Sequence, residues 1–396
     1  MTGGFFGWRV VGAAFGLAVF AWGIGFYGPG VWLHALTTGR GWSVAIVSAA
    51  ITLHFLASAA IVARLPALHA RFGPVVVTRA GIVAAAAGAA GWACAPTPWL
   101  LLPPALLTAA GWAFTSGAAI NALIAPWFDR RRPAALAMAY NGASVGGILV
   151  IPLWAALIGW LGFATAALTI GLAGIAVLWP VAGRYFRPDP ARLGLHPDGA
   201  AAPPAPRPVA RPAGPLWSQP AFRSLSLAFA LGLVAQMGLL SQLFSLLAPE
   251  LGAQGAGWAL SLATACAVLG RTAVGWLLPP GADRRRAAVL NFLVQAAGSL
   301  VLLAAGGSAP FLLLACVLFG LGIGNLLSLP PLIAQAEWPP EELAAVVALI
   351  TAVNQAFYAF APALFGLLRD LAGDWTVGAA ALALQFAAAL ILRTRT

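Results

Sequence analysis

The chain is 396 residues long, 61% apolar and 8% charged, whereas about a quarter of the residues of an ordinary soluble domain are charged. Such a composition cannot build a hydrated surface, so a soluble enzyme is excluded and a membrane-embedded protein is expected. All 21 basic residues are arginine, set against ten acidic ones for a net charge of +11; they stand in short clusters between apolar runs, which argues for topology signals and against nucleic acid as a partner.

A bilayer-crossing helix needs about 20 mainly apolar residues. Runs of that length lie near residues 8–31, 43–63, 75–95, 99–125, 134–158 and 162–183, and again near 222–247, 256–278, 287–306, 310–335, 343–367 and 376–392. The first run is followed by eleven more and shows no cleavage site, so it reads as a span and not as a removable signal peptide. The expected fold is all-α, with twelve transmembrane helices in two six-helix pseudo-repeats. Residues 1–183 form the N-terminal bundle, residues 222–396 the C-terminal bundle, and residues 184–221 a linker. Ten prolines between Pro188 and Pro220 interleave with arginines there, leaving no period that could bury a face.

Arginines near span ends stay on the cytoplasmic side. With both termini inside, Arg9, Arg64, Arg71, Arg79, Arg130 to Arg132, six arginines of the linker region, Arg284 to Arg286, Arg393 and Arg395 are cytoplasmic, 18 in all; Arg40 and Arg369 face out. The asymmetry implies a multi-pass protein of a bacterial-type inner membrane with both ends cytoplasmic. Two six-helix halves joined by a cytoplasmic linker are the parallel-repeat plan of secondary carriers. Gly142, Gly146 and Gly147, and likewise Gly270 and Gly275, are spaced for close helix contact.

Cys94, Cys266 and Cys316 fall within apolar segments and read as small buried hydrophobes. The chain has no Lys, hence no phosphate loop of a nucleotide-driven pump. No His and Cys cluster has metal-ligand spacing, so neither cofactor nor metal is expected.

Two stretches carry a family resemblance. Trp127-Phe128-Asp129-Arg130-Arg131-Arg132-Pro133, followed by Asn141-Gly142-Ala143-Ser144-Val145-Gly146-Gly147, resembles the connection between helices four and five of the monocarboxylate transporters and oxalate/formate antiporters of the major facilitator superfamily. Gly270-Arg271-Thr272-Ala273-Val274-Gly275 and then Asp283-Arg284-Arg285-Arg286 are similar to helix eight and the loop after it. The stretch ending Arg71-Phe72-Gly73-Pro74 is similar to the loop between helices two and three, with Ala70 where an Asp is usual. The resemblance implies that Arg271 binds the carboxylate of the cargo. The chain departs from the pattern at Gly30, at Ala267, and at Thr351, Asn354 and Gln355, where those groups carry charged residues.

The residues reach the same place by another route. A guanidinium within a span costs about 2.5–3.5 kcal/mol on insertion scales, so it faces a cavity or a partner. The ten carboxylates all lie in or beside loops, which leaves either an anionic cargo, matched by the planar two-pronged donor set, or a guanidinium that snorkels or bonds carbonyls. His54 is the proton-coupling candidate at depth, against a histidine simply bonded to a neighbouring carbonyl. Tyr27, Asn121, Tyr140 and Asn141 in the first half, with Gln236, Asn325, Asn354, Gln355 and Tyr358 in the second, are expected to line a substrate site, since polar groups in a bilayer need partners; bonds between helices would serve each of them equally.

The expected function is secondary transport of a small organic anion of monocarboxylate type by alternating access, as a proton symporter or an anion exchanger. The chain would act as a monomer, with the cargo and the lipid bilayer as its partners. Efflux of an apolar or amphiphilic compound is the alternative within transport; a non-transporting receptor or scaffold is the alternative outside it.

Overall fold

The computed structural model describes residues 5–200, 214–277, 282–339 and 342–394. Arg207, Arg211, Glu341, Arg395 and the linker prolines from Pro203 to Pro212 lie outside the described residues.

Within hydrocarbon a backbone amide must be satisfied inside the protein, which leaves helix as the outcome for long apolar runs. Among the described residues, eleven helices are long and apolar enough to cross a membrane. They are α1 (Gly7–Arg40), α2 (Val44–Val62), α3 (Pro74–Cys94), α4 (Pro98–Ile124), α5 (Ala134–Leu161) and α6 (Phe163–Tyr185), then α7 (Pro220–Val274), α8 (Arg284–Ala304), α9 (Ala309–Glu337), α10 (Ala345–Ala372) and α11 (Trp375–Arg393).

Helix α7 accounts for the difference from twelve. Followed to Leu277 it is 58 residues long, about 87 Å if straight and far beyond the roughly 30 Å hydrocarbon core. It breaks at Gly252, with φ 69° and ψ 162°, backbone angles that only glycine adopts at little cost. The expected loop between spans seven and eight shrinks to that residue, and the arms on either side of it supply two crossings.

The chain divides into two compact units, Met1–Trp42 with Leu53–Pro206 and Ser43–Thr52 with Arg207–Thr396. In the first, α1 and α5 pack backbone to backbone: a Cβ at Gly146 would stand 2.6 Å from the Val19 carbonyl oxygen. In the second, the same device joins the far arm of α7 to α9, where a Cβ at Gly320 would stand 2.5 Å from the Ala263 oxygen. Phe222, Phe229, Phe292, Leu326, Val346 and Leu392 belong to that unit's core. Large apolar side chains also point outward, Trp160 being 81% and Leu371 75% exposed, a pattern suited to lipid and costly in water. Trp99 and Trp375, at helix starts, are 72% and 64% exposed, as interfacial anchors would be. Cys266 and Cys316 are buried, but Cys94 is exposed because it is the last residue of α3, beyond the packed turns.

Polar staples hold the helix ends. Arg40 donates to the carbonyls of Ala93 and Ala95 at the end of α3. Arg285, 4% exposed, donates through Nε to Glu337 Oε1 at 2.6 Å and through Nη2 to Oε2 at 2.8 Å, and also to Ser224 and the Ala221 carbonyl. Asp198, from the linker, accepts from the backbone N–H groups of Asp129, Arg130 and Arg131 at 3.2, 2.7 and 3.2 Å. It thereby caps, from a distant stretch of chain, the N–H groups of the loop just ahead of the helix that begins at Arg132.

Candidate functional site

Besides α7, the helices α1, α4, α9 and α10 are interrupted near mid-length, and polar and aromatic side chains gather near the breaks in α1, α4 and α9. In α1 a π-helical turn spans Trp22–Phe26. The Tyr27 N–H reaches back five residues to the Trp22 carbonyl at 2.9 Å, so Gly23 O loses its usual donor. Residue 29 is proline and has no N–H to give, so Gly25 O loses its donor as well. Trp154 Nε1 donates to Gly23 O at 3.2 Å, and His54 Nε2 lies 3.0 Å from Gly25 O.

Around this turn the first unit presents a half-buried aromatic group. Trp22 and Trp112 meet edge to face at 4.9 Å, Phe26 stacks on Trp112 at 6.0 Å and on the edge of Tyr27 at 4.9 Å, and Trp22 lies 6.1 Å from Tyr140. In α4 the chain leaves helical angles at Ser116, φ −92° and ψ −155°, and Tyr140 donates its hydroxyl to the Gly117 carbonyl at 2.9 Å. Asn121 Oδ1 accepts from Arg132 Nη2 at 2.8 Å. Asn141, next to Tyr140 in sequence, is exposed. Of the expected site residues of this unit, Tyr140 is thus brought to the aromatic group and Tyr27 forms part of it, whereas Asn121 is engaged by an arginine at the start of its partner helix.

The second unit contains a chain of buried amides that sequence reading recovered only in part. Gln295 donates to Gln236 Oε1 at 3.1 Å, Ser299 lies 2.8 Å from Gln385 Oε1, and Asn325 donates to Asn291 Oδ1 at 2.9 Å and to the Leu321 carbonyl at 3.2 Å. Asn325 follows the interruption of α9 at Gly324. Oδ1 of Asn325, Oδ1 of Asn354 and Oε1 of Gln295 are buried acceptors without a partner among the described residues. Asn291, Gln295 and Ser299 were not anticipated; their four-residue spacing along one face of α8 is the sequence signal that reveals them. Gln355 and Tyr358 are half-buried on α10.

Arg271 is half-buried, nineteen residues past Gly252 and six before Leu277, hence about 9 Å from the helix end. That is nearer the end than mid-span, because the arm starts directly after Gly252 and not at residue 256. A Cβ placed on Gly324 would lie 3.2 Å from the Arg271 Cβ, so Arg271 stands beside the interruption of α9 that immediately precedes Asn325. His54 is fully buried, with Nδ1 3.0 Å from Thr108 Oγ1, and Trp92 Nε1 approaches the same hydroxyl at 3.4 Å. Among the described residues no three His, Cys, Asp or Glu side chains are grouped to hold a metal ion.

This architecture has many solved counterparts. The chain is similar to the nucleoside transporter NupG, with 13% identity, TM-score 0.73, and 100% of this chain and 98% of that one covered. It is similar to a bacterial homologue of the human lysosomal transporter Spinster, solved inward-facing and occupied, with 15% identity, TM-score 0.70 and coverage of 98% and 94%. A transporter of the POT family in complex with 5-aminolevulinic acid is similar at 14% identity, TM-score 0.71 and coverage of 98% and 95%. Likenesses at such identities establish the fold alone, and no curated protein sequence matches. The family model of the Major Facilitator Superfamily matches residues 13–362, and the chain is therefore a member of that superfamily, a multi-pass membrane transporter and not an enzyme.

Proposed function

We propose that this transporter carries a small organic anion, a monocarboxylate or related acid, with Arg271 as the anion anchor. The observation behind the reading is the place of that side chain beside the interruption of α9, where a Cβ on Gly324 would lie 3.2 Å from the Arg271 Cβ. A half-buried guanidinium about 9 Å inside the end of a membrane helix is retained where it meets a charge or a polar path, and its fork matches a carboxylate. The glycine of α9 beside it lets the two backbones meet closely there, since a Cβ on Gly324 would stand 2.5 Å from the Ala267 carbonyl oxygen. Within the first unit, the aromatic group of Trp22, Phe26, Tyr27 and Trp112 suits an apolar or planar body.

In this reading both termini are cytoplasmic and the protein sits in a bacterial-type inner membrane. Tyr358, Asn354 and Gln355 are the remaining polar groups that this reading offers to cargo on α10, and Asn141 the one on α5, the hydroxyl of Tyr140 being spent on the Gly117 carbonyl. Coupling is by exchange of acids or by a proton that accompanies the cargo, and the two halves alternate access about the site.

Radiolabelled lactate, benzoate and oxalate taken up by proteoliposomes test the proposal. Wild type should accumulate or exchange at least one of them, and Arg271→Ala should lose about tenfold or more of that flux, as expected when a charge-assisted bond is removed. Equal uptake by wild type and variant refutes the anchor. Sensitivity of a disrupted strain to lipophilic toxins, with acid uptake intact, would replace it with efflux.

A further inference from the structure

We propose that His54 is a positioning residue: its Nε2–H holds the carbonyl of Gly25, fixes the π-helical turn of α1, and so sets the orientation of Trp22, Phe26 and Tyr27 on the aromatic face. This rests on the carrier reading for the cargo that meets that face, but its geometry is independent of which cargo it is.

The argument starts from two residues of the sequence. Pro29 deprives Gly25 O of the N–H that would close an α-helical bond, and in hydrocarbon the only replacement is another protein group. A carbonyl can only accept, so the nitrogen of His54 facing Gly25 at 3.0 Å carries the hydrogen. Nδ1 lies 3.0 Å from Thr108 Oγ1, a hydroxyl that is also within 3.1 and 3.0 Å of the Pro104 and Ala105 carbonyls. The Thr108 oxygen in turn takes Trp92 Nε1–H at 3.4 Å. Trp92, Thr108, His54 and Gly25 are thus linked in one run, in which Nε2–H of the imidazole is the donor to Gly25.

The second freed carbonyl, Gly23 O, is held from the other side by Trp154 Nε1 at 3.2 Å. The turn is clamped between α2 and α5. Its two glycines allow the clamp to close: a Cβ at Gly23 would come within 2.7 Å of Val150, and one at Gly25 within 2.7 Å of Trp112. The residues on the turn are the ones that build the aromatic face, Trp22 against Trp112 and Phe26 against Trp112 and Phe55. His54 itself has no exposed surface, so it acts on cargo through the turn and not by touching it. A π-turn kept in this way is a local departure from α-helix of the kind found at functional sites.

The test uses full-length protein carrying 5-fluorotryptophan, with 19F resonances assigned by single Trp→Phe changes. His54→Leu, which removes the donor, should shift the resonances of Trp22, Trp112 and Trp92 and leave Trp338 and Trp375 of the second unit in place. His54→Gln, which keeps an N–H donor, should restore Trp22 and Trp112 largely to wild-type positions. Thr108→Val is the milder variant should His54→Leu fail to fold, and it should shift the same three resonances. Unmoved Trp22 and Trp112 in a folded His54→Leu or Thr108→Val protein overturns the proposal.

Benzoate uptake provides the functional arm. His54→Leu should raise KM about tenfold or more with the shape of the pH profile kept, and His54→Gln should recover KM. A pH dependence abolished by His54→Gln, with Trp22 and Trp112 in place, would return His54 to proton carriage and refute the positioning role. Benzoate transport absent already in wild type would count against the acid-carrier reading alone, since the resonance shifts decide the role of His54 without it.

Discussion

Removing Glu337 should destabilise the protein more than removing Glu337 and its partner together. Arg285 is only 4% exposed while Glu337 is 25% exposed, and the two are joined by paired bonds of 2.6 and 2.8 Å. Stranding one member of a fully buried pair costs about 3–5 kcal/mol. Arg285 keeps Ser224 and the Ala221 carbonyl, and the partial exposure of Glu337 already screens the pair, so the expected loss for Glu337→Leu is nearer about 2–3 kcal/mol. Arg285→Met leaves a carboxylate that can turn to water and should cost about 1–2 kcal/mol. The double variant replaces ions with apolar groups of similar volume and should lie within about 1 kcal/mol of wild type. Reversible unfolding in mixed micelles with increasing SDS, followed by tryptophan fluorescence, measures all four corners of the cycle. If Glu337→Leu is no less stable than the double variant, the pair is not holding a buried charge and the reasoning fails.

Two further outcomes follow from the staples and the tight packing. Burial alone would raise the Asp198 carboxyl, but the N–H groups of Arg130, Arg131 and Asp129 and the charge of Arg131 outweigh it and hold the group below its ordinary 3.8; a depressed native value means the cap is present above that point and is lost only as pH falls through the native value. Hydrogen exchange at Asp129, Arg130 and Arg131, once corrected for intrinsic rates, should therefore show the same protection at pH 5 and pH 8 and lose about tenfold in Asp198→Ala; equal protection in the variant would refute the cap. Gly25→Ala puts a methyl group 2.7 Å from the Trp112 ring, and overpacking should lower stability by about 1–3 kcal/mol, read in the same SDS titration; a wild-type midpoint would mean that Trp112 moves aside freely.

The helical fold was legible because hydropathy alone decides where backbone can sit in lipid. The break between the seventh and eighth runs falls within the residues left between them, 248–255, but its form was not legible, since two helices meet there at a single non-helical residue, Gly252. Residue type located Tyr140, Gln236 and Asn325 as polar groups inside the membrane, but not what they bond. Asn121 was read as facing cargo, yet it accepts from Arg132, a pairing across two helices that one-dimensional spacing cannot express. Asn291, Gln295 and Gln385 were passed over because each sits singly in an apolar run, whereas their meaning lies in facing one another.

A common cause underlies these placements. Carbonyls at or near several interruptions of these helices are met by a side chain from elsewhere in the unit or just along the chain: Gly23 by Trp154, Gly25 by His54, Gly117 by Tyr140, Gly322 by Asn291 and Leu321 by Asn325. A polar residue deep in a carrier is therefore first a candidate for the carbonyl that a broken helix leaves behind, and only then for the cargo. Tyr140 and Asn325 divide along that line, since Tyr140 is committed through its hydroxyl while Asn325 spends its amide hydrogens and still presents Oδ1 without a partner among the described residues. If cargo is bound by the second unit near α9, that oxygen and the guanidinium of Arg271 define what it must bring: a donor for the one and negative charge for the other.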